Sequence, residues 1–144
     1  MRKKLILMAL LLLPFYLKSY SQDVILGYTP DEILQEYKGK GLWSWRYTSQ
    51  YGGYHILVAD NYKWTTYYYF KTKTSPCKLS MLFPKNRQTL NQFIKLYTSG
   101  ENVELIEKNY WKIIGDGEEK LYLLLDYDDN ENAYFMYGYL NETL

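Results

Sequence analysis

The sequence predicts an α+β fold: two helices packed on a mostly antiparallel sheet of about eight strands, in an order that admits two helix-plus-four-strand halves. Three observations predict it. Two segments carry helix start signals followed by apolar residues at helical spacing. Eight short segments are rich in aromatic and β-branched residues, several of them alternating with a period of two. Turn residues separate these segments at short intervals, and no Gly/Pro-rich linker divides the chain.

Ahead of the first helix stands a different kind of segment. Arg2, Lys3 and Lys4 form a positive head, Leu5 to Leu13 is an apolar run, and Pro14 closes it. Ser19 and Ser21 occupy the −3 and −1 positions of a cut after Ser21. This is the grammar of a secretory signal peptide. The apolar run is about 9 residues, whereas a membrane-spanning helix needs roughly 20. A lipid anchor would need a cysteine at the cut, and the only cysteine is Cys77. The expectation is a cleaved leader over residues 1–21 and a single α+β domain over 22–144. That domain is expected to be exported in soluble form to the periplasm or cell exterior, with no stable membrane anchor.

Export changes the charge. Taking Arg2, Lys3, Lys4 and Lys18 from the seventeen basic residues leaves thirteen against sixteen acids, a net charge near −3. An acidic chain without a basic cluster is a poor nucleic-acid binder. A lone cysteine makes no internal disulfide, so an apolar core must hold the exported domain together. The 123 residues after the leader are enough to bury one.

Thr29-Pro30-Asp31-Glu32 predicts the first helix, with a threonine cap, a proline at the first helical position and a glutamate completing a capping box. Ile33, Leu34 and Tyr37 supply its apolar stripe over about three turns, and Gly39 and Gly41 stop it. Strands follow. Trp43, Trp45 and Tyr47 alternate with polar residues, and Tyr51-Gly52-Gly53 turns the chain into a strand over 54–60. Asn61 and Tyr62 make the next turn. Residues 64–71 give the strongest strand signal, broken by Ser75-Pro76, and residues 77–83 form the fourth strand. There Cys77 alternates with Leu79, Met81 and Phe83, which places it on an apolar face as a buried thiol. Leu90, Phe93, Ile94 and Tyr97 predict the second helix, capped by Asn86 or Thr89 and stopped by Gly100. Strands return over 103–107, 110–114, 121–127 and 133–140, with Asp116-Gly117 as a hairpin pair and 128–132 as a polar turn.

No constellation of catalytic residues stands out. His55 is the only histidine, and a zinc site needs three or four ligands. Cys77 patterns inward, which argues against a Cys77–His55 nucleophile pair. Asp126, Asp128 and Asn130 resemble the start of a calcium loop, but Glu131 and Tyr137 stand where an EF-hand needs glycine and glutamate. Asp116, Glu118 and Glu119 sit together in a turn, too solvated for a raised-pKa glycosidase acid. No nucleophile elbow, phosphate loop or dinucleotide fingerprint occurs. The expectation is no catalytic residue, no metal and no cofactor.

Aromatic content is the outstanding feature, with sixteen tyrosines and four tryptophans after the leader. Tyrosine combines an apolar body with a polar tip, which suits half-exposed sheet faces and binding surfaces. The strand over 64–71 separates Trp64, Thr66, Tyr68 and Phe70 from Thr65, Tyr67, Tyr69 and Lys71. One face must meet the helices. The other would display Tyr67 and Tyr69, joined by Tyr54 or by a Trp43–Trp45–Tyr47 row. These six aromatic residues are the candidate binding face; the competing reading is a wet sheet face held by cross-strand aromatic pairs.

The leader's ending and the α+β outline resemble those of small exported Bacteroidetes proteins of unknown function. The element order is similar, more loosely, to the tandem helix-plus-sheet layout of beta-lactamase inhibitor protein. These resemblances imply export and a layered fold, and no motif transfers residues. The leading expectation is a non-enzymatic binding or interaction module that meets a protein, peptide or glycan of the cell envelope. Two alternatives stand beside it. One is an immunity or inhibitor protein against an envelope-targeting enzyme, steered by the acidic turns at Asp116 and Asp128. The other is a small hydrolase with an unrecognised site.

Overall fold

The computed structural model describes residues 26–39, 41–48, 53–99, 103–113 and 121–139. The elements in order are α1 (Pro30–Glu36), β1 (Leu42–Thr48), β2 (Tyr54–Asp60), β3 (Trp64–Phe70), β4 (Leu79–Pro84), α2 (Arg87–Ser99), β5 (Val103–Glu107), β6 (Tyr110–Ile113), β7 (Leu121–Tyr127) and β8 (Ala133–Tyr139). All eight strands join one sheet in the order β1-β2-β3-β4-β8-β7-β6-β5, and each neighbouring pair is antiparallel. The chain is thus mixed α+β with the sheet dominant. The expected leader, the turns at 51–52 and 116–119, Gly100 and the expected strand ends at Ile114 and Leu140 lie outside the described residues. Among the described residues, no helix is long and apolar enough to cross a membrane.

Local chemistry accounts for the helix starts. The Thr29 backbone N–H donates to Glu32 Oε2 at 2.8 Å, and the Glu32 N–H donates to Thr29 Oγ1 at 3.4 Å. These bonds satisfy donors that an uncapped helix leaves bare. The helix has seven residues instead of the expected three turns, because Tyr37 already departs from helical geometry at φ −108°. Gly41 follows at φ +86°, and a Cβ there would lie 2.9 Å from the Asp60 carbonyl oxygen. Only glycine lets the entry to β1 pass that close to the end of β2. At α2 the cap is Asn86, whose Oδ1 accepts from the Thr89 N–H at 2.8 Å. Thr89, the other candidate, sits inside the helix and is buried.

Register sorts the side chains into two faces. One row runs Trp45, Leu57, Tyr68, Ser80, Tyr137, Leu123, Trp111 and Leu105 across all eight strands. A row on the opposite face runs Ser44, Val58, Tyr67, Met81, Met136, Leu124, Tyr110 and Glu107. Helix residues cluster with the first face. Ile33 groups with Leu57, Tyr68, Phe70 and Cys77. Phe93 and Tyr97 group with Leu82, Trp111, Leu123, Leu125, Phe135 and Tyr137. Leu26 packs against both clusters. The Tyr97 and Tyr137 hydroxyls hydrogen-bond to each other in the buried space between α2 and β8. Full burial of one such Leu or Phe contributes about 1.5–3 kcal/mol, so these two clusters dominate the cohesion of the fold. A third cluster, Tyr54, Ile56 and Val58 with Tyr67 and Tyr69, lies on the second face and contains no helix residue.

Cys77 corrects one expectation. It is fully buried, but it precedes β4 and clusters with the first face. Leu79, Met81 and Phe83, its expected companions, belong to the second face by register. On β4, Ser80 and Leu82 lie on the first face by register, and Leu82 groups with Phe93 and Tyr97 of α2. The alternation was real, but the backbone between 77 and 79 is not yet strand. There the Cys77 N–H donates to the Tyr28 carbonyl at 2.8 Å, and the Gly27 N–H donates to the Cys77 carbonyl at 2.7 Å.

Candidate functional site

The six aromatic candidates do not share a face. Trp43 and Trp45 stand opposite Ala59 and Leu57, which puts them on the side where the helix residues cluster, and Tyr47 pairs with His55 in register. Trp43 stacks on Tyr68 at 6.2 Å and lies 6.5 Å from Tyr37; Trp45 lies 6.2 Å from Phe70. Tyr54, Tyr67 and Tyr69 are on the other side, with Ile56 and Val58. The physical reason is the register of β1 on β2, because one residue of slip would have moved every β1 side chain to the opposite face.

On the second face the aromatic surface extends in a direction that the sequence reading missed. Tyr54 and Tyr69 meet edge to face at 6.0 Å. Tyr67 meets Phe83 edge to face at 5.6 Å, and Phe83 stacks on Tyr134 at 5.3 Å. Farther along, Tyr110 stacks on Tyr122 at 5.6 Å. These contacts form three groups: one on β2 and β3, one across β3, β4 and β8, and one on β6 and β7. Tyr67, Tyr69, Phe83, Tyr134, Tyr110 and Tyr122 are all half-buried. Phe83 and Tyr134 went unnoticed because β4 and β8 are far apart in sequence. The available signal was their alternation with Leu82 and Phe135, which fill the core.

Three polar tips on this face are held. The Tyr69 hydroxyl donates to Met81 Sδ at 3.4 Å, and burial pushes its pKa up to about 12, with the neighbouring Tyr67 adding to the rise. Lys71 donates to the Tyr54 hydroxyl at 2.9 Å, and its ammonium lies 4.7 Å from the Tyr54 ring centre. The Tyr134 hydroxyl donates to Asp126 Oδ2 at 3.3 Å. Burial, and then the Asp126 charge, raise the Tyr134 pKa.

A groove of about 460 Å³ opens at the β1 end, lined by Leu42, Trp43, Ser44, Val58, Asp60, Thr65, Tyr67 and Lys85. Asp60 Oδ1 accepts from Thr65 Oγ1 at 2.6 Å and pairs with Lys85 Nζ at 2.6 Å. The Lys85 bond, and then the Thr65 bond, hold the Asp60 carboxyl below its usual value. The groove therefore combines an aromatic ring and aliphatic walls with a fixed carboxylate, an ammonium and hydroxyls. Such a surface receives a group with an apolar body and a hydrogen-bonding edge.

The residues weighed for catalysis or metal binding are placed as follows. His55 is half-buried as the second residue of β2, between Tyr47 and Phe70 in register. The Cys77 thiol donates to the Leu79 carbonyl at 3.2 Å, and burial pushes its pKa up to about 12, well away from a nucleophilic thiolate. Asp128 Oδ1 accepts from the Asn130 and Asn132 N–H groups, both at 2.9 Å, while its Oδ2 accepts from Asn132 Nδ2 at 3.1 Å. Its carboxylate is spent on closing its own turn, and the Asn132 bonds lead in lowering its pKa. Among the described residues, no group of three or more His, Cys, Asp or Glu converges as metal ligands do. The turn containing Asp116, Glu118 and Glu119 lies outside the described residues. No protein-family model matches the chain, and no curated protein and no solved structure matches it.

Proposed function

We propose that this chain is an exported, non-enzymatic binding module of the periplasm or cell exterior, and that its second sheet face contacts the ligand. The observation that carries this reading is the half-buried aromatic run Tyr67–Phe83–Tyr134 across β3, β4 and β8, with Tyr67 also lining the Asp60–Lys85 groove. Rings fixed by their neighbours present contact area at little cost in conformational entropy. The groove supplies hydrogen-bonding groups beside Tyr67, as recognition of an envelope glycan, peptide or protein segment requires. Export rests on the three-part leader and its short apolar run. The same reading takes the chain as two helix-plus-four-strand halves, with both helices covering the first face and β4–β8 as the seam. The strand order, two antiparallel meanders meeting at that seam, supports it.

The test is capture from envelope extract by the immobilised protein, in parallel with Tyr67→Ala/Tyr134→Ala. The double variant is expected to fold, by far-UV circular dichroism, and to lose at least tenfold in captured material. Unchanged capture would remove the second face as the binding surface.

A further inference from the structure

Among the described residues the sheet has two open edges, and they are built differently. At one edge, β5 has five residues, a register irregularity between Leu105 and Glu107, and two glutamates, Glu104 and Glu107. A bulge and repeated charge are devices that keep an edge from pairing. The other edge, β1, pairs with β2 without a break over all seven of its residues. It contains no proline and one charged residue, Arg46. Leu42 is 76% exposed and Trp45 is 44% exposed. Among the described residues, no strand pairs with the outer side of β1. A long, regular, apolar edge strand is a template for a further strand.

We propose that β1 is the seam of a two-fold dimer, pairing antiparallel with β1 of a second copy about an axis through Trp45. The sequence of β1 is self-complementary in that register. Trp45 meets Trp45 of the second copy, Trp43 meets Tyr47, Ser44 meets Arg46 and Leu42 meets Thr48. Aromatic positions are thus paired in register with aromatic positions, and no like-charged positions are paired. A partner's β5 fits less well, because its bulge interrupts the ladder and a β1-to-β5 contact would not close. The two-fold contact does close. It yields one continuous sixteen-stranded sheet with both second faces on the same side, and the two Asp60–Lys85 grooves flank the seam.

The experiment uses the protein expressed from its full sequence, purified from the cell fraction that holds it, and follows its mass by light scattering across a dilution series. Twice the monomer mass at the concentrated end is expected. Trp45→Lys sets two ammonium groups opposite each other and is expected to be monomeric; Trp45→Glu likewise. Mixing the two opposes lysine to glutamate and is expected to restore the dimer. A wild-type monomer at every concentration overturns the proposal. So does open-ended growth of mass with concentration, which would assign β1 to a partner's β5, and so does a folded Trp45→Lys dimer. If the variants fail to fold, the wild-type dilution series decides alone.

Discussion

Both faces of the sheet carry tyrosines, and the two sets differ in what closes over them. On the first face Tyr68 is 2% exposed and Tyr137 is 0% exposed, in clusters that include Ile33 of α1 or Phe93 and Tyr97 of α2. On the second face Tyr67, Tyr69, Tyr122 and Tyr134 are half-buried, largely against one another and the aliphatic residues beside them. The same residue type therefore does two jobs. Beneath the helices its ring is core and its hydroxyl must find an internal partner. On the second face the ring is part of a surface, and the Tyr69 and Tyr134 hydroxyls are tied to Met81 and Asp126. High aromatic content in itself separates neither job from the other.

Substitutions sharpen this contrast. The largest loss is expected from Phe135→Ala, which empties the space that Phe93 and Tyr97 pack against at 5.7 and 5.5 Å. It should cost about 3–5 kcal/mol in urea unfolding. A cost no greater than that of Tyr67→Ala would break the contrast. Next comes Tyr137→Phe, which removes the buried hydrogen bond to Tyr97 while keeping the ring; about 1–2 kcal/mol is expected. Its counterpart on the second face, Tyr134→Phe, loses a partly solvated bond to Asp126 and should cost about 0.5 kcal/mol. Equal costs for the two would show that burial does not set the value of these hydroxyls.

The smallest effect at neutral pH is expected from Asp60→Asn. Its lowered carboxyl pKa means that the folded chain favours the charged form. That stabilisation is complete above the unfolded value of about 4 and is lost as pH falls through the lower folded value. Urea midpoints measured from pH 7 down to pH 2 should therefore fall less steeply for Asp60→Asn than for the wild type. Parallel curves would show that the Lys85 and Thr65 bonds contribute nothing to acid stability.

Much of the fold was legible because its signals are local. Thr29 and Glu32 are three residues apart, and so are Asn86 and Thr89, so both caps are visible in the chain. The strand segments showed themselves through β-rich composition, and several through a period of two. The end of α1 was harder, since Tyr37 continues the apolar stripe but not the helical backbone. Only part of the candidate site was legible. Tyr54, Tyr67 and Tyr69 were found because they lie on neighbouring strands joined by short turns. Phe83 and Tyr134 come together only when β4 pairs with β8, across α2 and three intervening strands. Asp60 and Lys85 meet for a similar reason, at the ends of β2 and β4 on either side of β3.

By itself the sequence determined the kinds of element, their order, most of their boundaries and the absence of any internal disulfide. These follow from short-range sterics, capping and periodicity, together with the count of one cysteine. Only the tertiary structure decided which alternate residues face the helices. A period of two says that a strand has two unlike faces, but each strand's register on its neighbour chooses which face is which. That choice sent Trp43 and Trp45 to the side of Tyr68, left Tyr67 with Phe83 and Tyr134, and divided the tyrosines between core and surface.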